Sequence, residues 1–128
     1  MSSDSLHEDP DKLGPEVIDR HRAIVSLMEE LEAVDWYDQR AKATANSELR
    51  AILEHNRDEE KEHAAMALEW LRRNDPKFDE HLKTFLFTEG PITGIEKSMA
   101  GGGEEDAASS DGSLGIGSLR RATGPVAK

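Results

Sequence analysis

The stretch "HNRDEEKEHAAMALEWLRRNDP", residues 55–76, decides how this chain is read. It gathers Glu59, Glu60, Glu62 and His63 directly ahead of a run of alanines and Met66. Residues three and four apart share a helix face, so Leu49, Leu53, Asn56, Glu60, His63, Ala67 and Trp70 line one stripe. Carboxylate and imidazole are out of place on a face that should bury apolar surface. A metal site, an acid/base cluster and a solvated charged face all compete to explain them.

Spacing separates the four groups. Glu60 and His63 lie three apart on one face, with Cβ atoms about 5–6 Å apart, and can grip one ion. Glu62 points off that stripe and reads as solvated helix surface. Glu59 reads either as surface or as support for the ligands.

Working outward, "RRNDP" ends this helix, which covers about 48–73. Two arginines oppose the C-terminal dipole, and Asn74 can adopt a left-handed cap. Pro76 opens a short third helix with Phe78, Leu82, Phe85 and Leu86 as its apolar stripe, and "EGPITG" breaks it. Upstream, "TANS" supplies turn and N-cap residues. The helix before it runs from near Pro15, a residue favoured in a first turn, to about Ala43. At ~1.5 Å per residue each long helix measures about 40 Å. A connection of a few residues makes them an antiparallel hairpin.

The first helix is apolar almost all round. One stripe reads Ala23, Leu27, Glu30, Val34, Tyr37, Ala41; a second reads Val17, His21, Ile24, Met28, Leu31. Ile18, Val25 and Trp36 form a third among Glu29 and Glu32. One partner helix covers only one face, so the hairpin is expected to associate with further copies through more than one surface.

Composition bounds the function. A chain of 128 residues allows a single domain, and 27 acidic against 16 basic residues argue against nucleic acid or an anionic membrane as partner. Such a surface suits cations. The absence of cysteine excludes disulfides, thiolate metal sites and cysteine nucleophiles, and fits a reducing cytoplasm. "MSSDSLHEDPDK" lacks an apolar core, so no secretory signal is expected, and no apolar run approaches the ~20 residues of a membrane span. Residues 1–12 read as disordered, 13–99 as the helical domain, and 100–113 as a flexible acidic Gly/Ser linker. Residues 114–128 carry an apolar island, Leu114, Ile116 and Leu119, followed by the basic "RRATGPVAK".

Glu30 is the only acid in the first stripe of helix one, and it matches Glu60 and His63 on the second helix. Carboxylate-bridged di-iron bundles take a Glu from each of two helices and Glu-x-x-His from each of two more. This chain holds half of that inventory. Two chains related by a twofold axis would supply four carboxylates and two imidazoles. Their charge of −4 would balance two ferrous ions, and a donor set rich in oxygen favours iron or manganese over zinc. Open coordination positions would admit dioxygen, with Tyr37 near the metals. Glu29 and Glu32, beside Trp36, fit a secondary cation site or entrance funnel, and fit ordinary exposed acids as well. His21, His55 and His81 read as packing or surface residues.

Taken together, "HRAIVSLMEELEAVDWYDQRA", the stretch quoted first and "FDEHLKTFLFTEGPIT" resemble the encapsulated ferritins over roughly residues 15–95. "GSLGIGSLR" resembles the peptide by which such cargo docks inside an encapsulin shell. The resemblance implies an all-α fold: the hairpin plus a short C-terminal helix, dimerising into a ferritin-like four-helix bundle within a ring-shaped decamer. It implies a ferroxidase that oxidises Fe(II) with dioxygen, with two irons at each dimer interface held by Glu30, Glu60 and His63 and with Tyr37 close by. It implies a second divalent cation, such as calcium, at Glu29 and Glu32 near Trp36. The shell protein would be met by Leu114, Gly115, Ile116, Gly117, Ser118 and Leu119, in the bacterial cytoplasm within an encapsulin nanocompartment where the mineral collects. The alternative is a non-catalytic cargo or scaffold whose metal only staples dimers.

Overall fold

The computed structural model describes residues 5–101. Four helices follow one another: α1 (Pro10–Ala43), α2 (Ser47–Arg73), α3 (Pro76–Phe85) and α4 (Ile92–Gly101). Among the described residues there is no strand. No described helix is long and apolar enough to cross a membrane. The chain divides at Asp79 into two compact units, and α3 begins in the first and ends in the second.

In the first unit the helix ends follow from local chemistry. Asp9 accepts from the Asp11 amide at 2.9 Å and starts a helical turn at Pro10. Residues 10–12, expected to be disordered, are therefore helical. Gly14 interrupts α1 with φ 81° and ψ 162°, a conformation open to glycine because it lacks Cβ, and Pro15 then starts the long segment as expected. Asn46 caps α2 by accepting from the Leu49 amide at 2.8 Å. At the other end Asn74 closes α2 through its amide and its side chain, the latter donating to the Trp70 carbonyl at 2.8 Å. Its φ of −115° is not the left-handed cap expected; the side-chain bond satisfies the carbonyl without that conformation. Asp75 accepts from the Phe78 amide at 3.1 Å and caps α3.

α1 and α2 run antiparallel. Polar contacts pair Arg50 with Ala41, Arg57 with Asp38 and His63 with Glu30, so numbers rise along one helix as they fall along the other. Arg50 tethers the connection, its Nε donating to the Ala41 carbonyl at 3.1 Å and its Nη2 to the Thr44 carbonyl. Among the described residues the buried apolar side chains are few: Ala41, Ala64 and Leu71, of which only Leu71, 1% exposed, is fully covered. On α2 the buried line therefore runs through Ala64 and Leu71. Trp70 and Leu49, assigned to that line from sequence, lie on its flank and stay exposed. Ile24, Met28 and Leu31 on α1 are exposed as well. A single hairpin leaves its second apolar face uncovered, in keeping with the stripes.

In the second unit, Leu86 donates its amide to the Leu82 carbonyl as α3 ends, and Phe87 (φ 62°) and Gly90 (φ 89°) turn the chain. The Pro91 carbonyl then accepts from Gly94 and Ile95 and opens α4. This fourth helix was not foreseen, because "EGPITG" carries the residues of a breaker. Here they form the boundary before a helix.

Candidate metal centre

Three side chains converge across the hairpin. Glu30 comes from the middle of α1; Glu60 and His63 come from successive turns of α2. His63 Nδ1 lies 3.3 Å from Glu60 Oε1 and 3.7 Å from Glu30 Oε1. One ligand atom from each residue falls within 4.8 Å of the others, the one such group of three found among the described residues. The side chains are 28%, 25% and 44% exposed for Glu30, Glu60 and His63, so the cluster opens on one side.

The electrostatics follow from that crowding. Glu30 is raised above the usual carboxylate range, first by its hydrogen bond with Glu60 and then by desolvation. Glu60 is lowered, chiefly because it accepts that bond from Glu30, with His63 adding to the effect. His63 is raised, its hydrogen bond to Glu60 being the main cause. Protons are therefore held more tightly by Glu30 than by Glu60, and the cationic form of the imidazole is favoured beside them. A divalent cation replaces these protons with its own charge.

The donor set fits a metal ion. Ligand bonds of about 2.0–2.2 Å to oxygen and nitrogen put donors around one ion up to roughly 4.4 Å apart, and the His63 distances of 3.3 and 3.7 Å to the two carboxylates fall inside that span. Two carboxylates and one imidazole leave an ordinary divalent ion short of ligands, and they carry −2 if both acids ionise. The open side is where further donors would enter.

Other expected residues fall differently. Tyr37 is half-buried, further along the α1 stripe, and outside the trio; the Arg40 guanidinium lies 5.5 Å from its ring and 5.9 Å from that of Trp36. Glu29 and Glu32 are exposed, as is Trp36, and they join no group of three potential ligands among the described residues. Glu62 is exposed, and Glu59 pairs with His55 at 3.1 Å. Residues 114–119 lie outside the described residues. A groove of about 410 Å³ follows the next stripe of α2, lined by Glu62, Ala65, Met66, Glu69, Trp70 and Arg73, and includes none of the trio. Sequence reasoning passed over Arg57, whose Nη1 donates to Asp38 Oδ1 at 3.0 Å across the hairpin. The signal that finds it is the antiparallel register, once one other pair of facing residues is known.

Fold and site define an all-helical hairpin, among the described residues, with a convergent Glu–Glu–His cluster on its open flank. The EncFtn-like family model matches residues 5–89, and the chain belongs to that family. It is 64% identical to an encapsulated ferritin-like protein of Rhodospirillum rubrum, over 94% of this chain and 91% of the relative. It is 54% identical to a ferritin-like protein of Thermotoga maritima, over 89% and 96%. The encapsulin nanocompartment cargo protein EncC of Myxococcus xanthus is 35% identical, over 76% and 81%. A crystal structure of a protein from Nitrosomonas europaea superposes with a TM-score of 0.66 at 62% identity, over 68% of this chain and 97% of the other.

Proposed function

We propose that two copies of this chain pair through the flank bearing Glu30, Glu60 and His63, and that the joined site oxidises Fe(II) with dioxygen. The observation that carries the proposal is the convergence of two carboxylates and an imidazole from opposite helices on an open side of the hairpin. Iron is the substrate. Glu30, Glu60 and His63 of each copy bind it, four carboxylates and two imidazoles holding two ions. Two Fe(II) give one electron each to one dioxygen, which takes up two protons and leaves as hydrogen peroxide, and Fe(III) leaves for storage. Tyr37 lies along the same stripe and helps orient the site; Glu29 and Glu32, beside Trp36, attract cations towards it and hold a second divalent ion such as calcium. The pairs assemble further into a ring of ten.

The names of the relatives support a place inside an encapsulin shell, since EncC is described as nanocompartment cargo. The segment Leu114, Gly115, Ile116, Gly117, Ser118 and Leu119 is assigned the docking role, tethered by the Gly-rich run before it.

Oxygen uptake on adding Fe(II) tests the reading. Wild type consumes dioxygen rapidly, and E60A and H63A do not. Metal-dependent association without oxygen uptake would establish the non-catalytic staple instead.

A further inference from the structure

The two helices meet through a thin contact. Among the described residues its buried apolar side chains are Ala41, Ala64 and Leu71, only Leu71 being fully covered, and alanine presents a smooth surface with little to resist sliding. Register matters greatly here. A slip of one residue moves α2 by about 1.5 Å along its axis and turns each side chain by roughly 100° relative to α1. Either change carries Glu60 and His63 away from Glu30.

Two polar clamps resist that slip. Arg50 holds the connection through the carbonyls of Ala41 and Thr44. The second clamp lies between the connection and the trio, one turn before Glu60. Arg57 Nη1 donates to Asp38 Oδ1 at 3.0 Å, and its Nε donates to Asp58 Oδ1 at 3.0 Å. The guanidinium is only 21% exposed, whereas both carboxylates are well exposed. Asp58 therefore orients the planar fork from its own helix, and Asp38 receives it from the other. Apart from His63 with Glu30, no other ion pair among the described residues joins α1 to α2.

We infer that Arg57 is a positioning residue for the metal trio: bridged to Asp38 and steadied by Asp58, it indexes α2 on α1 so that Glu60 and His63 face Glu30 before a metal arrives. The role is geometric: the Arg57–Asp38 bridge holds the two helices in the binding register without touching the ion. This inference rests on the trio binding a divalent metal, as proposed above.

The test is Co(II) binding to the full chain by calorimetry, with helicity and sedimentation measured on the same samples. R57A and D38A each weaken binding by roughly fivefold, the scale of a partly exposed bridge worth about 1 kcal/mol. The double variant D38A/R57A loses no more than either single one. R22A, which breaks the exposed Arg22–Asp19 pair elsewhere on α1, leaves binding unchanged. In Fe(II) oxidation, R57A raises KM more than it lowers kcat. Unchanged Co(II) affinity in R57A, fully additive losses in the double variant, or losses that track helicity alone each overturn the inference. If wild type itself binds no Co(II), the metal-site reading falls, and this inference with it.

Discussion

Glu30, on α1, faces His63, on α2, with 3.7 Å between Oε1 and Nδ1. The contact spans thirty-three positions of sequence, and Glu60, hydrogen-bonded to both groups, is the main cause of how each titrates. His63 is raised, chiefly by Glu60, so it stabilises the metal-free fold at pH values below about 6.5. That contribution is lost as pH rises through its higher folded value. Glu30 is also raised, which favours the protonated fold and works in the same direction. A metal needs the opposite protonation states. The stabilisation added by Co(II), read as a Tm shift, therefore grows as pH rises from 6 to 8. E60Q lowers the His63 value and flattens the metal-free profile. A Tm shift that shrinks over this interval would contradict the assignment.

Acid should find a second weak point at the end of α2. Glu69 is held at about 2, first by its hydrogen bonds with Arg72, 2.8 Å from each carboxylate oxygen, and then by Arg73 at 2.6 Å. Arg72 also reaches Asp79 in α3. A lowered carboxyl contributes stability above its unfolded value of 4.5, and loses it as pH falls towards 2. E69Q is expected to match wild type below pH 2 and to be less stable at pH 6. Helicity followed during acid titration measures the difference, and equal profiles at all pH values would remove the role of this network.

The hairpin and the convergence of Glu30, Glu60 and His63 were legible because both rest on periodicity. Glu60 and His63 share a face through local spacing alone, and Glu30 joins them once the short connection at Thr44–Asn46 reverses the chain. What escaped has no period. Arg57 and Asp38 are ordinary charged residues on polar helices, and only the register of two packed helices brings them together. The buried line of α2 was placed one position off at Trp70. Leu71 and Trp70 are both apolar neighbours, and only the azimuth of α1 decides between them. α4 was missed because Pro91 and Gly94 read as breakers, although a proline just before a helix is compatible with its start.

Leu71 is the one large side chain fully buried in the hairpin. L71A removes its packing and leaves a cavity, which typically costs about 2–5 kcal/mol. The lower half of that range is expected, because half-exposed neighbours can close in on the space. Urea unfolding measures this, and a loss below about 1 kcal/mol would place the main stabilisation between chains rather than within one.

The last prediction separates a half site from a whole one. Leu31 follows Glu30, is 53% exposed, and lies with Ile24 and Met28 on the uncovered flank of α1. It bonds to none of the trio, so L31R leaves Glu30, Glu60 and His63 within one chain as they are. If the working centre needs two chains paired through this flank, burying an arginine there opposes association, since an unpaired charge is costly to desolvate. Sedimentation should then show the single hairpin, and oxygen uptake should fall to the level of E60A. Both losses should occur together across a series such as L31A, L31S and L31R. A variant that stays unpaired yet oxidises iron at the wild-type rate would show that one hairpin suffices. A variant that pairs normally with arginine at this position would put the seam elsewhere on the hairpin.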